Sequence, residues 1–341
     1  MNTPAPPPLD IGIVGWHSHN EMFDDIGADL ARQGHRIVRW ADRAAFTAAT
    51  NPLDNIDLLL CVAVFPITRA MLERATRLRA IVSAVTGVDG VDVAAATERG
   101  VVVGNAQTDQ NIIGMAEANV LMLLAALYDL NTAQDRVRQG LWRPPQLGAS
   151  QLRGKTVGFV GLGRIGRETA RLLAPFGATL QYSARRDADL AGLPSMARVD
   201  LDTLLRTSDV VLVLASLNPE TRGLIGAEQL RRMKKSAILV NTARGAIVDE
   251  AALYEVLRDK AIAGAALDCF TVEPLPADSP LRALPNVILT PHMIGHTIEA
   301  HHSLEVATRE NLGRVLSGEP PRYVVNPAVL PAWTAKWGAG R

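Results

Sequence analysis

The chain of 341 residues contains only two cysteines, Cys61 and Cys269, too far apart in sequence to suggest a disulfide or a metal cluster. It carries no excess of charge: 35 Lys and Arg balance 35 Asp and Glu. Without a basic tract, nothing points to nucleic acid or a membrane surface as a partner. Most of its cations are arginines, which reads as a compositional bias rather than a site. No block is low in complexity, and the longest apolar run, residues 120–127, is too short to span a bilayer. The proline-rich start, Met1 to Pro8, lacks the charged-then-apolar layout of a secretion signal. His17, His19 and His35 have no acidic or cysteine neighbour at ligand spacing, so they read as surface or turn residues and no metal site is expected. What these absences leave is a soluble, cytoplasmic protein. At this length, with 48% apolar residues, it should divide into two domains.

What is present centres on residues 155–173. A short apolar strand, 157–160, runs into Gly161, Gly163 and Gly166 and continues as a helix with Ile165, Leu172 and Leu173 set to face a core. Strand, G-x-G-x-x-G and helix in that order form the context of a dinucleotide fingerprint. Gly161 allows the tight turn, Gly163 lets backbone approach the pyrophosphate, and Gly166 lets helix pack on strand. The phosphates would meet unpaired N–H groups and the positive end of the helix dipole, beside Arg164 and Ile165.

Strand and helix signals alternate on both sides of this unit, which indicates parallel α/β sheets. Before it, residues 10–16, 35–40, 58–64, 80–85 and 101–103 read as strands, with helices near 22–33 and 67–77. The turn from Ser83 to Asp92, through Val85, Thr86 and Gly87, has two readings. It is a backbone nest for a small anion, or a strand-to-helix turn with Asp92 as N-cap. A long apolar helix is expected over residues 111–130. After the fingerprint, 178–183, 210–215, 238–241, 263–267 and 287–289 complete six strands of a doubly wound nucleotide domain. The second of these ends Tyr182-Ser183-Ala184-Arg185-Arg186. An NAD site usually has an acidic residue there; here two guanidiniums stand ready to chelate a 2′-phosphate, so NADP is expected in preference to NAD.

Ligands of such sheets bind beyond the carboxyl ends of the strands. Three polar groups fall there: Arg244 in Asn241-Thr-Ala-Arg-Gly245, Glu273 after Asp268, and His292 in Thr290-Pro-His292. Singly, each has an ordinary structural explanation. Jointly they supply an anion clamp, a proton donor and a carboxylate to hold it protonated.

Leu152-Arg-Gly-Lys-Thr-Val-Gly158, Asn218-Pro-Glu-Thr-Arg222, Asn241-Thr-Ala-Arg-Gly-Ala-Ile-Val-Asp249 and Thr290-Pro-His292 together resemble the D-isomer-specific 2-hydroxyacid dehydrogenase family, in its glyoxylate/hydroxypyruvate reductase branch. The resemblance covers nearly the whole chain. It implies a Rossmann nucleotide domain, residues 107–296, inserted into a flavodoxin-like substrate domain formed by 1–106 and 297–341. It also implies a homodimer built through the nucleotide domain and the long helix. By the same resemblance Arg244 binds the substrate carboxylate and carbonyl, His292 is the acid/base, and Glu273 tunes it. Val85, Thr86 and Gly87 would provide the second carboxylate contact. Ser183, Ala215, Ser216, Thr221, Thr242, Ala243, Asp268 and Gly295 would join the glycine loop and the two arginines around the dinucleotide, with Asp268 at the carboxamide.

The implied reaction interconverts a 2-keto acid and a D-2-hydroxy acid by hydride transfer. Departures from the family pattern narrow the substrate. Formate dehydrogenases carry Gln where Glu273 stands, and phosphite dehydrogenase has a lysine at Thr86. Phosphoglycerate dehydrogenases carry an arginine near Val62, although such an enzyme stays an alternative. Leu214-Ala215-Ser216 replaces the usual His or Pro and would alter the adenine edge. The large apolar residues Trp16 and Phe65 would leave room for a bulkier keto acid. A nucleotide-sensing corepressor-type binding protein of the same fold is the rival from another class, but nothing in the chain resembles a peptide-docking or nuclear signal.

Overall fold

The computed structural model describes residues 8–145 and 148–338, so all but the last residue of the proline-rich start lies outside the described residues. The chain forms two units. One runs up to Asp109 and resumes at Ile298, and the other is Gln110–Thr297.

The first unit is a five-stranded sheet of β1 (Asp10–Val14), β2 (Arg36–Trp40), β3 (Leu58–Cys61), β4 (Ala80–Ser83) and β5 (Val102–Gly104). Its order is β2-β1-β3-β4-β5 and every pairing is parallel, the flavodoxin-like arrangement. β3 and β4 are buried at every position, as strands covered by helices on both faces must be. Asp42, Thr68 and Asp92 cap short helices, so the N-cap reading of Asp92 holds: its carboxylate accepts from Ala95 N at 2.8 Å. The returning chain is stitched into this unit. Asn326 Oδ1 accepts from Val103 N at 2.8 Å, Val325 N donates to Val103 O at 2.8 Å, and Trp333 is fully buried.

Two sequence expectations change here. His19 is a turn residue, as one of the two readings had it, but at 2% exposed before the helix Asn20–Arg32 it is buried rather than on the surface. Phe65 is also 2% exposed and packs edge-on to Phe46 in the core, so it does not shape an open substrate site. Both were read from local pattern, and burial is decided by elements distant in sequence.

The second unit is a seven-stranded parallel sheet of β6 (Thr156–Val160), β7 (Thr179–Ser183), β8 (Met196–Arg198), β9 (Val210–Val213), β10 (Ile238–Asn241), β11 (Gly264–Leu267) and β12 (Val287–Leu289), in the order β12-β11-β10-β9-β6-β7-β8. This is the Rossmann order extended by one strand. β8 is the strand absent from the six-strand reading. The expected long helix is Asp109–Leu127, 19 residues, with Met122, Leu123 and Leu127 buried against the sheet. By length and composition it would be long enough to cross a membrane, which the shorter apolar run inside it was not. It packs instead as a core helix of this unit.

Candidate active site

The glycine loop takes the form its sequence demands. Gly161 has φ +92°, and a Cβ there would lie 2.8 Å from the backbone of Ala215. Only glycine tolerates both the angle and the approach. Gly163 is the N-cap of the helix Arg164–Leu173, and a Cβ built on it meets nothing within 4 Å. Open space in front of a ten-residue helix start is where a pyrophosphate fits. Gly166 packs on the Gly161 carbonyl, and Ile165 is half-buried in the first helical turn, with Arg164 exposed beside it.

Around this loop the other dinucleotide candidates divide. Ser183 ends β7, and Arg185 and Arg186 follow it on the surface, Arg185 paired with Glu220. Ala215 and Ser216 follow β9 in a turn held by Thr221, whose hydroxyl donates to Ser216 O at 2.7 Å. Thr242 is different. It is 6% exposed and its hydroxyl donates to Asn119 Oδ1 at 2.5 Å, while Asn119 Nδ2 donates to Thr169 at 3.1 Å. The side chain of Thr242 therefore anchors the long helix to the end of β10. Ala243 N donates to Asn241 Oδ1 at 3.1 Å. Gly295 is pressed against the same helix: a Cβ on it would lie 2.0 Å from Met115 Sδ.

The catalytic candidates sit on neighbouring loops at the carboxyl ends of β10, β11 and β12. Glu273 reaches His292: Nδ1 is 3.0 Å from Oε1 and 2.9 Å from Oε2. About a third of each side chain is exposed. Phe270 N donates to Glu273 Oε1 at 2.9 Å, which fixes the carboxylate. Burial pushes the Glu273 carboxyl upward, but the hydrogen bond and charge of His292, the Phe270 N–H and the charge of Arg244 outweigh it and hold it below the usual range. Arg244 precedes Gly245, where a Cβ would come within 2.0 Å of the Phe270 carbonyl carbon. The Arg244 turn and the Glu273 loop are thus pressed together. Arg244 also donates to its neighbour, Ala243 O, at 2.7 Å.

Asp268 has a role that its residue type alone did not reveal. Only 2% exposed, it accepts through Oδ1 from Thr290 Oγ1 at 2.6 Å, Met293 N at 3.0 Å and Ile294 N at 3.2 Å. Ile294 N also reaches Oδ2 at 3.3 Å. These donors flank His292, whose φ of +54° lies in the left-handed region that a non-glycine residue enters only when held there. Asp268 is the hold. Beside it Cys269 is buried, its thiol pushed well up by burial and by nearby carboxylates, chiefly Glu273.

Val85, Thr86 and Gly87 belong to the first unit. Their turn is fastened by Ser83 Oγ, which donates to Gly87 O at 3.0 Å, and by Asn105 Nδ2, which donates to Thr86 O at 2.8 Å. No group of three or more His, Cys, Asp or Glu side chains suited to a metal ion occurs among the described residues.

A Rossmann sheet with an open glycine loop and a Glu–His pair on its carboxyl rim defines the class: a dinucleotide-dependent oxidoreductase. The match to known proteins narrows it. The D-isomer specific 2-hydroxyacid dehydrogenase NAD binding domain matches residues 120–294. The chain is 41% identical over 284 residues to a glyoxylate reductase of Thermofilum pendens, which covers 80% of this chain and 82% of that one. It is 38% identical over 283 residues to a D-3-phosphoglycerate dehydrogenase of Methanocaldococcus jannaschii, covering 82% of this chain but 53% of the relative, so it spans about half of that protein. Its structure is similar to that of an NADPH-dependent glyoxylate/hydroxypyruvate reductase from Sinorhizobium meliloti in complex with NADP and malonate. The TM-score is 0.82 at 28% identity, over 98% of this chain and 99% of that one. The chain belongs to the D-isomer specific 2-hydroxyacid dehydrogenase family and is an oxidoreductase that uses a nicotinamide cofactor.

Proposed function

We propose that the protein reduces a small 2-keto acid of the glyoxylate or hydroxypyruvate type to the D-2-hydroxy acid, with NADPH preferred. The observation that carries this reading is the Glu273–His292 contact on the sheet rim. The bound dinucleotide supplies the hydride to the keto carbon. His292 Nδ1 faces Glu273, which leaves Nε2 as the ring nitrogen that gives its proton to the keto oxygen. Ionised Glu273 stabilises the ring while it holds both protons. Arg244 pairs with the substrate carboxylate and favours the negative charge that develops on the oxygen. In oxidation the steps reverse, and neutral His292 takes the hydroxyl proton. Acid–base assistance of this kind contributes a factor of ~10²–10⁴.

The substrate choice is supported by Glu273 and Thr86, which depart from the formate and phosphite patterns. It is supported also by Val62, which is 4% exposed in the first unit's core and offers no cation to a phosphate. Arg185 and Arg186 support NADPH, because they, and no acidic residue, are the first charged residues after the end of β7. We extend the reading to a homodimer. Leu121, Tyr128, Leu130, Leu141 and Trp142 are exposed on and after the long helix, an apolar surface that a second copy would cover. A cytoplasmic location agrees with two free thiols.

A panel of 2-keto acids assayed with NADPH and with NADH tests the proposal. It expects turnover of glyoxylate or hydroxypyruvate with NADPH favoured, and dinucleotide binding without keto-acid-dependent oxidation would refute it.

A further inference from the structure

Three carboxylates lie close to the end of β7, and an arginine engages each one. Glu220 pairs with Arg185, Asp189 with Arg167 at 3.2 Å, and Asp187 with Arg198. The last pair is built differently from the other two. Arg198 ends β8, where it lies abreast of Tyr182 on β7. From that fixed position its guanidinium also donates to Ala184 O at 2.9 Å and to Arg185 O at 3.4 Å. One planar fork therefore ties the Asp187 carboxylate to the main chain of the loop that carries Arg185 and Arg186. Asp187 follows Ser183 closely, and its side chain is 84% exposed. Among the described residues, Arg198 is the side chain that restrains it. A carboxylate at this place is what reads the ribose 2′-hydroxyl of NAD and repels the 2′-phosphate of NADP.

We propose that Arg198 sets the cofactor preference by latching Asp187. It withholds the loop's nearest carboxylate from the ribose and holds the backbone from which Arg185 and Arg186 project. The proposal rests on the NADPH preference inferred above. Arg198 is a positioning residue: it acts through Asp187 and the loop.

Dissociation constants for NADPH and NADH, from fluorescence titration at one fixed salt concentration, test the latch in four proteins: the parent, Arg198→Ala, Asp187→Ala and the double variant. The parent should bind NADPH more tightly. Arg198→Ala should weaken NADPH about threefold and tighten NADH about threefold, so that discrimination falls about tenfold, the scale of a lost surface pair acting on each cofactor. The NADH gain should vanish in the double variant. Asp187→Ala alone should leave NADH unchanged, because the latched carboxylate is already withheld. If Arg198→Ala loses NADPH without gaining NADH, or if the gain survives removal of Asp187, the latch is wrong and the NADPH reading stands. A loss of NADH affinity in Asp187→Ala would show that the carboxylate already reads the ribose. A parent that prefers NADH overturns both.

Discussion

Asp268 offers the sharpest test of how His292, the proposed acid/base residue, is held. Asp268→Ala removes one acceptor from three donors: the Thr290 hydroxyl and the N–H groups of Met293 and Ile294. A buried donor left without a partner costs ~1–3 kcal/mol. Met293 is exposed enough for water to replace part of the loss, so the lower end applies and the total is about 3 kcal/mol. For a unit of this size each kcal/mol shifts the midpoint by about 2–4 °C, which gives a fall of about 6–12 °C. Asp268→Asn should do much less. Its remaining oxygen can still accept from Thr290 and Met293, and only the Ile294 contact to Oδ2 and the charge assistance go, about 1 kcal/mol or 2–4 °C. Thermal unfolding without cofactor isolates this from any contact of Asp268 with the nicotinamide. Both variants should also lose kcat, since a displacement near 1 Å at the proton donor can cost about 10²-fold. If Asp268→Ala melts with the parent, or if Asn and Ala are equally damaging, the carboxylate does not hold the loop.

Three further outcomes are expected. Glu273→Gln keeps the size but removes the charge that faces His292 Nδ1, so it should lower kcat for keto-acid reduction, while His292→Ala should cost about 10² or more in rate; a Gln variant with the parental kcat would reduce Glu273 to a turn residue. Arg244→Ala should raise KM for the keto acid severely and leave NADPH affinity nearly intact, because the pyrophosphate is assigned to backbone N–H groups at Gly163; a large loss in a fluorescence titration of NADPH would contradict that division. Asp209 accepts from Thr156 N at 2.8 Å and Lys234 Nζ at 3.0 Å, and these contacts outweigh burial to lower its carboxyl. Its contribution is therefore complete above the unfolded value of about 3.9 and is lost as pH falls through the lower folded value, so Asp209→Asn should cost about 1 kcal/mol at pH 7 and flatten the acid side of the stability curve measured by urea unfolding.

The parts that were legible in the sequence share a physical reason. In a parallel sheet every strand delivers its carboxyl end to one rim, so a polar residue just after an apolar run is placed by the topology alone. Arg244, Glu273 and His292 needed no more than that, and the Glu–His contact follows from two such rim positions. The glycine loop was legible because a positive φ and a backbone contact leave no alternative to glycine at Gly161. β8 escaped because Met196-Ala-Arg198 buries one residue of three at a sheet edge, too little to make a period. The helix Arg43–Ala48 is likewise too short for the periodic window, and buries only Phe46.

The supporting contacts were hidden for a different reason, and it bears on where the site is most vulnerable. A hydrogen bond from a backbone N–H carries no residue type, so nothing in Met293 or Ile294 announces a partner in Asp268. Thr242 was legible as a residue at a strand end but not as one whose hydroxyl turns inward to Asn119, because the choice depends on a helix more than a hundred residues earlier. Asn119 was the available signal: a fully buried amide among the apolar residues of a long helix must find partners, and Thr169 and Thr242 are the ones it finds. The proposed reacting groups are thus specified by type and the supporting ones by satisfaction. A substitution that keeps Arg244, Glu273 and His292 but leaves Asp268 or Asn119 without its donors and acceptors would retain every recognisable motif and lose the geometry that makes them act together.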